Sequence, residues 1–124
     1  MLLNDLYTIQ SLTETDNQIQ ATIKLKTDHA IFKGHFPGQP VLPGVCMMEM
    51  ISEITGEYLH RSFSISGGPM IKFLHLIDPQ KNPQVSLEIK YHYETECLTT
   101  NGKIYSGSKI FMKFHLNLVP GKGY

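Results

Sequence analysis

Residues 34–44 read G-H-F-P-G-Q-P-V-L-P-G, with proline or glycine at six of eleven positions. Prolines fix φ and glycines admit turns or close backbone approach, so this stretch excludes a helix. The following residues, Val45 to His60, contain no proline, and a helix is predicted to start near Pro43, because proline is tolerated at a first helical position. Its first turns carry Val45, Cys46, Met47, Met48, Met50, Ile51 and Ile54. A helix apolar on nearly every side is predicted to be buried, and the rest of the chain must then supply its cover.

The flanking segments read as strands. Leu6 to Leu12 and Gln18 to Lys26 alternate in part and flank Asp16-Asn17, which predicts two strands and a turn. After the helix, Ser66-Gly67-Gly68-Pro69 is predicted to break the chain, with a strand resuming from Met70 to Leu76. Val85 to Tyr93 alternates apolar and polar residues, the pattern of a half-buried strand. Asn101-Gly102 is a hairpin signal, predicted to join Glu96 to Thr100 with Lys103 to Leu118. Periodicity alone gives an α+β class, with strands before and after one long helix suited to a sheet wrapped around it.

Two titratable residues stand out. His35 lies in the stiffened loop and Glu49 fourteen positions later, about five residues or roughly 7–8 Å past the predicted helix start. Glu49 has two readings. With Glu53 and Glu57 it forms an acidic stripe at i, i+4 and i+8 facing water. Alternatively it is desolvated, which raises a carboxyl pKa and suits a general acid near neutral pH. His35 would be its complement, a neutral imidazole able to take a proton.

The segment Gly34 to Glu49, G-H-F-P-G-Q-P-V-L-P-G-V-C-M-M-E, resembles the signature of the 3-hydroxyacyl-[acyl-carrier-protein] dehydratases of the hotdog fold, at the same spacing. The resemblance extends to Asp28 to Lys33 before the motif, to Ile71-Lys72-Phe73-Leu74 with Asp78-Pro79, and to the strands around Asn101-Gly102, covering roughly residues 6–116. It implies a hotdog fold, an antiparallel sheet wrapped around one long central helix, as a single domain over residues 1–124. It also implies dehydration of a 3-hydroxyacyl thioester, with His35 as the base and Glu49 as the acid, contributed by opposite subunits of a homodimer that could assemble further. Gly44 would donate its N–H to the thioester oxygen, and the Val41 carbonyl would orient His35. Phe36, Pro43 and Val45 would contact the substrate. The resemblance implies an acyl-carrier protein as partner and no cofactor or metal. Departures are the run Met50-Ile51-Ser52-Glu53, where housekeeping members have small residues and a glutamine, and the turn Asp78 to Pro83. They suggest a divergent member, in fatty-acid or a related polyketide or polyene pathway.

Eleven basic and eleven acidic side chains give a formal net charge of zero, so bulk electrostatics advertise neither nucleic acid nor an anionic membrane. Carrier contact would need a local patch, for which Lys33, Arg61, Lys72 and Lys81 are candidates. Cys46 and Cys97 make no metal spacing, and Cys46 reads as a small buried hydrophobe. No segment reads as a transmembrane helix or signal peptide, which predicts a cytoplasmic protein. His29 is predicted to shape the loop, and His75, His92 and His115 match no metal motif. The methionines Met47, Met48 and Met50 read as core that could also line an acyl tunnel. Two other functions stay open: a hotdog thioesterase and a non-catalytic acyl-binding subunit.

Overall fold

The computed structural model of the chain describes residues 1–34, 38 and 40–121. His35 and Phe36 therefore lie outside the described residues. The elements are β1 (Tyr7–Thr15), β2 (Gln18–Leu25), a single helical turn α1 (Ile31–Gly34), the helix α2 (Gly44–Leu59), β3 (Phe63–Phe73), β4 (Gln84–Tyr93), β5 (Leu98–Ser106) and β6 (Lys109–Pro120). The strands form one sheet in the order β1-β2-β4-β5-β6-β3, antiparallel at every pairing. α2 packs against β2, β3 and β4. This is the hotdog arrangement.

Strand alternation decides what faces α2. Along β4, Val85, Leu87, Ile89 and Tyr91 are buried while their neighbours are not, as a period of two requires. Ile19, Ala21, Ile23 and Leu25 of β2 do the same. The inward rows meet Cys46, Met47, Met50, Ile51 and Ile54 of α2 in one core. The β1–β2 turn falls at the predicted Asp16-Asn17, both with positive φ, 51° and 61°, the geometry that right-twisted hairpins favour and Asx residues tolerate.

The helix begins where the sequence places it. Pro43 is the N-cap residue in extended conformation, and α2 ends at His60, which adopts a left-handed conformation.

Two strand readings need correction. Ser66 to Pro69 does not break the chain: β3 runs through it, with register shifts between Ile65 and Gly67 and between Gly67 and Met70, and it ends at Phe73. Only an edge strand tolerates such a segment, because its outer side makes no ladder bonds. Asn101-Gly102 is not a turn either, for β5 passes straight through it. A Cβ on Gly102 would lie 1.8 Å from the Glu88 carbonyl oxygen, so the glycine serves close approach to β4. The β5–β6 turn instead lies at Gly107, with φ 58°, and the β4–β5 turn closes through the Glu94 N–H bonded to the Cys97 carbonyl.

Candidate active site

The described part of the motif is placed by α2 and its approach. The Leu42 N–H donates to the Ile77 carbonyl at 2.9 Å, which ties the approach to the segment after β3. The N–H groups of Cys46 and Met47 are satisfied by the Pro43 carbonyl at 3.0 and 3.2 Å. Among the described residues no side chain caps the helix. The first N–H, that of Gly44, thus belongs to an uncapped helix N-terminus, where free donors and the dipole favour an oxygen gaining negative charge. A Cβ on Gly44 would lie 2.7 Å from Cζ of Phe73. The missing side chain lets the Phe73 ring lie against the start of the helix.

Around that point is a largely apolar groove of about 360 Å³. Val41, Pro43, Gly44 and Met47 form one wall, and Phe73 to Ile77 form the other. The structure therefore brings Val41, Pro43 and Gly44 together. Val45, the next residue, is 73% exposed. Phe73 and Leu76, which the sequence reading did not assign to the site, are 55% and 70% exposed. Their signal was available as two large apolar residues at the end of a strand, on an edge that only the pairing order reveals.

Glu49 corrects the reading of a solvated stripe, while the desolvated reading keeps its direction, a raised carboxyl pKa, without full burial. It is exposed in the single chain, while Glu53, one turn on, is 6% exposed and Glu57 is exposed again. The helix is thus not buried all round, and the three glutamates do not share one solvated stripe. The reason lies in the segment before β1, which folds over this side of α2. Glu53 accepts hydrogen bonds from the N–H of Leu2 and of Leu3, each at 2.8 Å, and from the Tyr7 hydroxyl at 2.9 Å. Among the described residues it is the one buried acidic or basic side chain.

Despite its exposure, the Glu49 carboxyl is held above the usual carboxylate range, first by partial desolvation and then by the Glu53 charge, with the Met1 amino group pulling the other way. Burial is the first cause lifting the Cys46 thiol as well, with Glu49 and Glu53 adding to it. Burial and then the Glu53 charge likewise lift the Tyr7 phenol. Cys46 is buried as predicted, and a thiol pushed up in pKa is a poor nucleophile.

His29 does shape the approach to the motif. Its Nδ1 accepts the Ile31 N–H at 3.0 Å, and Nε2 lies 3.2 Å from Asp5, so the proton belongs on Nε2. His75 faces the groove, whereas His92 lies 3.6 Å from Glu94 and His115 pairs in register with Met70 and Asn101. Among the described residues no three His, Cys, Asp or Glu side chains gather as metal ligands.

An antiparallel sheet around one helix, with a helix N-terminus opening on an apolar groove, defines a hotdog protein. The ApeI-like dehydratase family matches residues 11–109, and the chain belongs to that family. The 3-hydroxyacyl-[acyl-carrier-protein] dehydratase FabZ of Novosphingobium aromaticivorans is 31% identical over 110 residues, covering 82% of this chain and 69% of that protein. The FabZ of Rhizorhabdus wittichii is 27% identical over 103 residues, covering 77% of this chain and 66% of that protein. The chain thus spans about two thirds of the length of these relatives. A chain of the dehydratase heterocomplex ApeI:P from Xenorhabdus doucetiae superposes with a TM-score of 0.70 at 21% identity, covering 90% of this chain and 96% of that one. Solved neighbours named as thioesterases share the fold. No described helix is long and apolar enough to cross a membrane.

Proposed function

We propose that the protein removes water from a 3-hydroxyacyl thioester carried on acyl-carrier protein, giving the trans-2-enoyl thioester, in fatty-acid or a related polyketide or polyene pathway. The observation that carries this reading is the uncapped N-terminus of α2 at Gly44, opening on the apolar groove, within a chain of the ApeI-like dehydratase family. In this mechanism His35 takes the proton α to the carbonyl, and the electron pair of that C–H bond moves toward the thioester. The Gly44 N–H stabilises the oxygen that gains charge. The C3–O bond then breaks as Glu49 delivers its proton to the hydroxyl, which leaves as water. The Val41 carbonyl orients His35 through its other ring nitrogen, and Phe36, Pro43 and Val45 line the acyl path.

Each site in this reading is shared between two copies, with His35 from one and Glu49 from the other. Support comes from what one chain leaves uncovered. β3 ends the sheet, and Met70, Phe73, Leu74 and Leu76 on and after it are exposed together with Val45. Large exposed apolar residues on and after an open strand edge are the kind that a partner covers. Exposed Lys33, Arg61, Lys72 and Lys81 are candidate cations for an acidic carrier protein.

The test is incubation with a 3-hydroxyacyl thioester while 2-enoyl product and free thiol are followed separately. Enoyl product that vanishes in His35→Ala and Glu49→Gln is the expected result. Free thiol alone would make the protein a thioesterase, a reading that its fold neighbours share, and neither product would make it an acyl-binding subunit.

A further inference from the structure

Glu53 is a buried carboxylate that the proposed reaction does not use. Its three hydrogen bonds all come from neutral donors, the N–H groups of Leu2 and Leu3 and the Tyr7 hydroxyl. Among the described residues no lysine, arginine or histidine pairs with it, the ion pairs there being His29 with Asp5 and His92 with Glu94. Its charge is therefore solvated by the protein without being neutralised. Glu49 lies one turn earlier on the same helix, and the side-chain hydrogen bond that bears on its carboxyl is with Glu53 itself, which raises it.

Side chains four residues apart on a helix have Cβ atoms about 5–6 Å apart. Two carboxyl groups at that spacing, partly out of water, do not ionise independently. Their environments decide which one keeps the proton: a site with three donors favours the charged form, and a site without them favours the neutral one. The donors all face Glu53. We propose that Glu53 is a positioning residue for Glu49: clamped by Leu2, Leu3 and Tyr7 as the charged member of the pair, it leaves the proton on Glu49, where the reaction needs it. This rests on the reading of Glu49 as general acid only for its catalytic consequence, and not for the placement of the proton.

The other titratable groups near the pair act as follows. On α2 itself, Cys46 and Glu57 flank it, and from β1 the Tyr7 phenol faces it. Cys46 and Tyr7 are both pushed up by burial first, so they stay neutral while carboxyl groups titrate. Glu57 is exposed and its charge is screened by water. The Met1 amino group opposes the effect of Glu53 on Glu49. In the proposed dimer, a second copy's His35 would approach Glu49 from the outer side.

The measurement is the titration of Glu49 in the full chain, read from 13C-carboxyl NMR with glutamate labelled at Cδ and the resonance assigned through Glu49→Gln. In Glu53→Gln the midpoint of Glu49 should fall. In Tyr7→Phe it should fall by less, because only one of the three donors to Glu53 is removed. Glu57→Gln should leave it in place. Tyr7→Phe keeps the test decisive if Glu53→Gln does not fold. Where enoyl product forms, the alkaline limb of kcat should move down with the midpoint, about tenfold in protonated fraction for each pH unit, with KM within about twofold if binding is untouched. A Glu53 that only pins the first residues would lower the melting temperature and leave the Glu49 titration unmoved, and that result overturns the proposal. Because the titration needs no substrate, it decides the role of Glu53 even if the protein makes no enoyl product.

Discussion

The inner and outer sides of the first turns of α2 are built to different standards. Inward, Cys46, Met50 and Ile54 are buried in the core, and Glu53, one turn on from Glu49, is buried under the segment before β1 with three hydrogen-bond donors. Outward, Val45 is 73% exposed and Glu49 is exposed one turn later. A single exposed valine needs no explanation. In the proposed dimer, the exposed valine and the exposed carboxyl raised in pKa are the surface that a second copy would cover. The inner side is about folding, and the outer side is about what meets the protein.

That contrast predicts opposite responses to substitution. The largest effect falls on the outer side: Glu49→Gln should reduce enoyl formation by about 10²–10⁴-fold, the usual contribution of a positioned general acid. Mixing it with His35→Ala should restore about a quarter of wild-type turnover after subunit exchange, because a two-fold dimer formed from one of each mutant keeps one intact site. No recovery on mixing, measured alongside proof of exchange, would sink the shared site.

Next in size is an inner-side truncation. Ile54→Ala should lower unfolding free energy by about 2–5 kcal/mol in a denaturant titration, since Ile54 is fully buried and a cavity would be left in the core. A loss as small as that of a surface change would mean that α2 is not packed as described. Val45→Asp comes third: it should shift sedimentation toward a slower, monomeric species while leaving the far-ultraviolet circular dichroism unchanged, because it puts a charge on the surface that a second copy would cover.

The smallest effect is a pH-dependent one. The Glu49 pKa is raised in the folded chain, by partial desolvation first and Glu53 second. Any stability it contributes is therefore present below the unfolded carboxyl pKa and is lost as pH rises through the folded value. Glu49→Gln should accordingly be slightly more stable than the wild type at pH 7, with the gap closing below about pH 4. A gap that widens on acidification would contradict that sign.

Much of this was readable before the fold. Pro43 marks the helix start, the alternation from Val85 to Tyr93 marks a strand with one buried face, and Asp16-Asn17 marks a turn, all because each depends on its own residues and near neighbours. Asn101-Gly102 misled for a physical reason: a glycine that opens a turn and a glycine that admits a neighbouring strand look alike in sequence. Only the Glu88 carbonyl beside Gly102 separates them. The Ser66 to Pro69 segment was misread likewise, since its tolerance in a strand depends on β3 lying at the edge.

The candidate site divides the same way. The motif, the spacing of His35 and Glu49, and the uncapped helix start at Gly44 follow from the order of residues along the chain. Which glutamate of the i, i+4, i+8 series is buried does not follow, because the donors to Glu53 come from Leu2, Leu3 and Tyr7, about fifty positions away in sequence. Local backbone preference and hydrophobic period act within a few residues and are written in the chain itself. Solvation of a charge is set by whichever segments the completed fold brings against it, and so it was decided in three dimensions alone.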